Sequence, residues 1–195
     1  MTMKSIFFIL VFLFNIFNSS EITSDVTTKS NVAPGQLMKS DLQLQNKSKD
    51  IIIGIGDNRE DVEQKLGNYI DTIDYKDIFE YDGVKIHYKD NKVNGIIIDD
   101  NTINLREFKT IREIGYGSGF EDVIKHYSDH GNISSPYGTK SITYFLEITD
   151  NGQYNIMSSL EKMKEKKNII IFSMNFDKLD NLSFLLIADY EFAFL

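Results

Sequence analysis

The sequence predicts an α+β fold of two tandem repeats, each a short capped helix packed on an antiparallel meander of three to four strands. Three observations carry this. The phrase "IGIGDNREDVEQKLG" at 53–67 returns in outline as "IGYGSGFEDVIKHYS" at 114–128, sixty-one residues further on. Each copy opens with turn glycines and a helix-start pattern. Each is followed by strand-length runs rich in β-branched and aromatic residues, broken by polar turns.

Ahead of the first repeat stand two segments of different character. "MTMKSIFFILVFLFNIFNSS", residues 1–20, has Lys4, an apolar run from Ile6 to Phe14 and then small polar residues, the pattern of a cleaved secretory signal peptide. The run is shorter than the roughly 20 residues that span a bilayer, so no stable membrane span is expected after cleavage. Export to the periplasm or beyond the cell is the expected localisation. Residues 21–50 are dominated by Ser, Thr, Asn, Gln, Lys and Asp without sustained periodicity, and read as a flexible polar linker.

The first repeat is assigned to 51–112. Asp57 with Glu60 forms an Asp-x-x-Glu capping box, Val62 and Leu66 mark one apolar stripe, and Gly67 is the expected C-terminal cap. Downstream, "DIFEYDGVKIHYKDNKVNGIIIDD" at 77–100 supplies a strand, an Asp82-Gly83 turn, the alternating strand Val84 to Lys89, a polar turn from Asp90 to Lys92 and a strand from Val93 to Asp99. Residues 102–113 offer a fourth strand.

The second repeat, 113–195, follows the same order. Ser118 with Glu121 forms the capping box, Phe120, Val123, Ile124 and Tyr127 the stripe, and Gly131 the expected end cap. Strands are expected in "SITYFLEI", "YNIMSSL", "NIIIFSMNF" and "LSFLLIADYEFAFL", with turns at "TDNG" and "DKLDN". The stretch 160–167 fits either a turn or a helix.

"GIGDNREDVEQKLGNY" followed by "YDGVKIHYKDNKVNGIII" resembles the helix-plus-sheet repeat of the β-lactamase inhibitor protein type and of the outer-membrane assembly lipoprotein family BamE. Gly56 and Asp57 match the helix start of that pattern, Leu66-Gly67 its end, and Tyr81, Asp82-Gly83 and Asp90-Asn91-Lys92-Val93 its aromatic, hairpin and turn. The match is good over 51–100, moderate over 113–128 and one of strand order thereafter. Its inhibitors rely on disulfides and its lipoproteins on a cysteine, and this chain has no cysteine. The resemblance implies a scaffold that docks on other proteins.

Composition narrows the chemistry. Without cysteine there is no thiol catalysis, zinc–thiolate site or disulfide. Beyond residue 20 the chain has 20 basic and 29 acidic residues, a net −9, which repels phosphate backbones and excludes nucleic acid as a favoured partner. The basic run "EKMKEKK" at 161–167 reads as a solvated turn.

His126 and His130 are four apart, a metal-sharing spacing on a helix, but Tyr127 stands where a metalloprotease needs Glu. His130 reads as favouring the helix C-terminus, and no metal or other cofactor is expected. The adjacent pairs Glu60-Asp61 and Glu121-Asp122 read as helix-start acids, and no nucleophile elbow or phosphate loop is present.

Strand parity places Val84, Ile86 and Tyr88 on one face and Lys85, His87 and Lys89 on the other, so these last three are the candidate partner-binding residues on an open sheet face. The function expected is a non-catalytic module that binds another extracytoplasmic protein or an envelope component. The alternatives are a secreted hydrolase using carboxylates and histidine, and a small outer-membrane β-barrel suggested by the aromatic ending "LIADYEFAFL".

Overall fold

A computed structural model describes residues 36–73, 77–135, 138–149, 153–157 and 168–194. The expected signal peptide, the linker up to residue 35, the "TDNG" turn from Asp150 and the basic stretch 158–167 lie outside the described residues.

The chain is α+β with antiparallel pairing throughout. In chain order the strands are β1 (Gln36–Met38), β2 (Leu44–Asn46), β3 (Ile51–Ile53), β4 (Asp71–Ile73), β5 (Ile78–Tyr81), β6 (Val84–Lys89) and β7 (Lys92–Ile98). There follow β8 (Lys109–Thr110), β9 (Asn132–Ser134), β10 (Ser141–Ile148), β11 (Gln153–Ile156), β12 (Ile169–Phe176) and β13 (Leu182–Asp189). Helices are α1 (Arg59–Leu66), α2 (Phe120–Tyr127) and the single turn α3 (Tyr190–Ala193), and a short 3-10 turn covers Lys39–Leu42.

Ten strands form one sheet in the order β1-β11-β10-β12-β13-β7-β6-β5-β4, with β9 on β10 beyond β11. The meander β4 to β7 meets the later strands where β13 pairs with β7, from Leu185 opposite Ile98 to Ala188 opposite Gly95. A separate small sheet runs β3-β2-β8. Among the described residues β1 and β4 are the two ends of the large sheet and do not pair with each other.

Alternation sorts the side chains into two apolar layers. Ile86, Tyr88, Ile96, Ile142, Tyr144, Phe172, Met174, Leu185 and Ile187 face the side that α1, α2 and the small sheet cover, together with Val62, Val123, Ile124 and Tyr127 from the helices. Ile97, Phe145, Ile169, Ile171, Leu186 and Ala188 face the opposite side, with Ala193 of α3 packed among them. Burial of these apolar surfaces, at about 25 cal/mol per Å², is the main stabilising term.

The helix starts differ from expectation in an informative way. Asp57 and Ser118 do not cap: the N-caps are Asn58 and Gly119, and neither makes a side-chain cap bond. The Asp57 carboxylate instead accepts from Gly54 N at 2.9 Å, and the Ser118 hydroxyl accepts from Gly115 N at 3.0 Å, each bracing the turn ahead of its helix. The first helical amides go to strand hairpins: Arg59 N donates to Asn91 O and Phe120 N to Asp180 O, both at 2.9 Å.

Asn91 and Asp180 sit at φ 60° and φ 62°, a left-handed backbone that turns the carbonyl toward the helix. Gly56 N then donates to Val93 O and Gly117 N to Leu182 O, each at 2.8 Å. Hairpin carbonyls therefore take the first helical amide and a turn amide ahead of it, while Asp57 N and Ser118 N, which the glutamate of a capping box would serve, donate to Gly54 O and Gly115 O.

Three further expectations are corrected. The polar stretch before residue 50 is ordered from Gln36: β1 pairs with β11, β2 with β3 and β8, and Leu37, Leu42 and Leu44 are buried. Residues 102–113 add no strand to the large sheet; they turn, and only Lys109–Thr110 pair, in the small sheet. The last expected strand stops at Asp189, whose carboxylate caps α3 by accepting from Phe192 N at 2.8 Å.

Candidate functional site

Lys85, His87 and Lys89 share the face that parity assigns them, but that face is not open there. Lys85 is 5% exposed and His87 8% exposed. The Lys85 ammonium donates to Asp99 Oδ1 at 2.7 Å, and Asp99 is fixed by the Thr102 hydroxyl, which donates to it at 3.1 Å. Lys85 thus ties β6 to the loop that follows β7 and presents no free charge.

His87 is covered by the chain's own last turn. The Phe192 ring lies over the imidazole, centroids 4.5 Å apart and planes 24° from parallel. Opposite His87 on β7 stands Gly95, and a Cβ there would fall 2.4 Å from the Phe192 ring, so only glycine leaves room for the stack. The register slips beside this pair, leaving Asn94 as the extra residue of a β-bulge, with its Oδ1 on His87 Nδ1. Asn94 Nδ2 is buried and meets no hydrogen-bond partner among the described residues. Lys89, at the rim, pairs with Glu191 of α3. No local pattern announces this cover, because "DYEFAFL" alternates like a strand.

The other histidines do not converge. The helix ends at Tyr127 and Ser128 takes φ 75°, so Ser128 and not Gly131 is the C-cap, and His130 leaves the face that carries His126. His126 Nδ1 lies 2.7 Å from Asp122 O, and His130 Nδ1 lies 3.3 Å from Asp129 Oδ1. Gly131 serves close approach instead, since a Cβ there would meet Ile142 at 2.6 Å. Among the described residues no group of three or more His, Asp or Glu side chains converges as metal ligands would.

A shallow, open hollow of about 230 Å³ lies between β2 with its following turn and the loop before β8, lined by Gln45, Asn46, Lys47, Ser48, Arg106, Glu107, Lys109 and Glu113. Its carboxylates are already engaged. Lys47 pairs with Glu113 at 2.6 Å, and Asn46 Nδ2 donates to Glu107 at 3.1 Å. The hydrogen bond from Lys47 is the largest influence on Glu113 and holds its pKa below the ordinary range. Carboxylates held in this way, Glu113 by a cation and Glu107 by an amide, are ties between segments.

Large apolar side chains are exposed at the margins of the large sheet, on β3 at Ile52, and in turns at Ile103 and Leu179. Tyr69 and Ile70, 49% and 53% exposed, lead into the end strand β4. Tyr69 meets the Phe79 ring edge-on at 5.2 Å, and the Arg59 guanidinium lies 4.4 Å above that ring while paired to Glu63. Met38 on β1, Ile133 on β9 and Ile148 at the end of β10 are exposed at the other margin. Sequence reading passed over Tyr69 and Ile70 because they fall between the helix and the first clear strand. Among the described residues no helix is long and apolar enough to cross a membrane. No protein-family model matches the chain, and neither the curated proteins nor the solved structures include a match to it.

Proposed function

We propose that the chain is an exported, non-catalytic module that docks on another extracytoplasmic protein or an envelope component, and that it is built from two tandem helix-on-sheet units of the type its sequence resembles. The carrying observation is the placement of exposed apolar side chains beside the end strands β4, β1 and β9. A marginal strand flanked by large apolar groups is a surface to which a partner strand adds. The tandem reading is supported by the two helix starts, which make the same backbone bonds to their hairpins at distances agreeing within 0.1 Å.

The docking surface is thereby moved from the Lys85–His87 face to the sheet margin, with the Tyr69–Ile70 pair seated on the rigid Phe79–Arg59 stack. The net charge of −9 beyond residue 20 favours a partner that presents basic groups.

The test is capture from the extracytoplasmic fraction with a tagged chain, comparing wild type with Ile70→Asp. The reading expects a discrete partner whose recovery falls about ten-fold with the variant, at unchanged melting temperature. Recovery of no partner, together with a turnover that His126→Ala or His130→Ala abolishes without loss of stability, overturns it.

A further inference from the structure

The sheet face over β6 and β7 is held by the chain's own last turn, and we propose that this place is a docking seat for a peptide segment carrying an aromatic ring next to a carboxylate, closed in cis by α3. This adds to the marginal-strand reading a second surface of different chemistry, and it stands without that reading.

The seat is built into the sheet. Gly95 interrupts β7 where any side chain would strike the ring at 2.4 Å, and a mid-strand glycine weakens a sheet unless something must approach closely. His87 supplies a flat floor at 4.5 Å. The bulge at Asn94 sets a buried amide beside that floor, and its Nδ2 donor is without an acceptor among the described residues. Lys89 stands at the rim as the counter-charge and takes Glu191.

The present occupant is one turn of four residues, Tyr190–Ala193, held by the Asp189 cap, the Phe192 stack, the buried Ala193 and an ion pair exposed on both sides. Tyr190 and Phe194, their rings 4.8 Å apart, pack at the margin of the same apolar layer. One turn has no stability of its own, and an exposed ion pair adds little. Opening α3 therefore requires far less than global unfolding. A trans ligand must offer what Glu191 and Phe192 offer, a carboxylate for Lys89 and an adjoining ring for the Gly95–His87 seat.

The probe is a labelled peptide of residues 189–194, Asp-Tyr-Glu-Phe-Ala-Phe, followed by fluorescence anisotropy against the full chain. The Phe192→Ala chain, with its seat vacated, is expected to bind it about ten-fold or more tightly than wild type. Adding Gly95→Val in that background is expected to remove the gain, as is replacing Phe or Glu in the peptide by Ala or Lys. A wild-type dimer that grows with concentration and is lost in Phe192→Ala also supports the seat, filled by a second copy.

A folded Phe192→Ala chain that takes up no peptide, or binding that Gly95→Val leaves intact, overturns the proposal. Should Phe192→Ala fail to fold, hydrogen exchange of the wild-type Phe192 amide decides. Exchange through a local opening supports the seat, and exchange only with global unfolding overturns it.

Discussion

Arg112 joins segments that are seventy-one residues apart: it donates to both carboxylate oxygens of Asp41, at 2.9 and 2.7 Å, and to His126 O, and its guanidinium lies 5.2 Å from the Tyr127 ring centroid. Tyr127 in turn donates to Asp41 O at 2.8 Å. Removing the cation leaves the largely buried Asp41 carboxylate without a counter-charge and with Met38 N as its remaining described donor, so Arg112→Ala should cost about 2–4 kcal/mol, read by chemical denaturation. Gly95 and Phe192 are coupled by volume. Gly95→Ala should destabilise wild type by about 1–3 kcal/mol and much less in a Phe192→Ala background, and a double-mutant cycle measures the difference. Equal costs in the two backgrounds would deny the close approach.

At the level of elements, the helices begin where hairpins receive them. Glu60 and Glu121, read from the sequence as capping partners, should tolerate alanine within about 0.5 kcal/mol each, because the amides they would serve, Asp57 N and Ser118 N, already donate to Gly54 O and Gly115 O. A loss of 1 kcal/mol or more, on the order of a true cap, would restore the capping reading.

Strands β6 and β7 were legible because alternation and the Asp82-Gly83 and Asp90-Asn91 turns agree with one another, and β10 and β12 because their β-branched runs are long. Residues 36–46 were not, since Leu37, Leu42 and Leu44 lie scattered among polar groups and reveal themselves only once β1 finds β11 and β2 finds β3. The turn α3 was missed for the opposite reason: its residues alternate as a strand does, and tertiary seating on Gly95 decides the matter. Parity placed Lys85 and His87 on the correct face, yet no local pattern could announce what covers it.

For the whole molecule, the pairing of β7 with β13 makes one sheet of strands from both halves of the chain, and tyrosines are spread through its core. Burial raises the pKa of Tyr88, Tyr127 and Tyr144, and Tyr144 also donates to Ser128 O at 2.6 Å at the end of α2. In the unfolded chain these phenols ionise near pH ~10. Their raised folded values mean that stability is intact below about pH 10 and falls as pH climbs above it, because only the unfolded chain releases those protons. Tyrosinate absorbance should therefore rise first for exposed rings and then in a step coincident with loss of circular dichroism. A gradual rise with structure retained would place the rings in solvent.

The claim on which the account turns is that both helix starts are pinned by the same backbone ties to a single sheet that is continuous through β7 and β13. Native-state hydrogen exchange of the full chain reads those ties one by one. The prediction is that Gly56 and Gly117, Arg59 and Phe120, and Val93 and Leu182 are protected as matched pairs, with the β7–β13 amides among the slowest to exchange. Protection confined to one member of each pair, or two halves that open separately while β7 and β13 exchange fast, would contradict it.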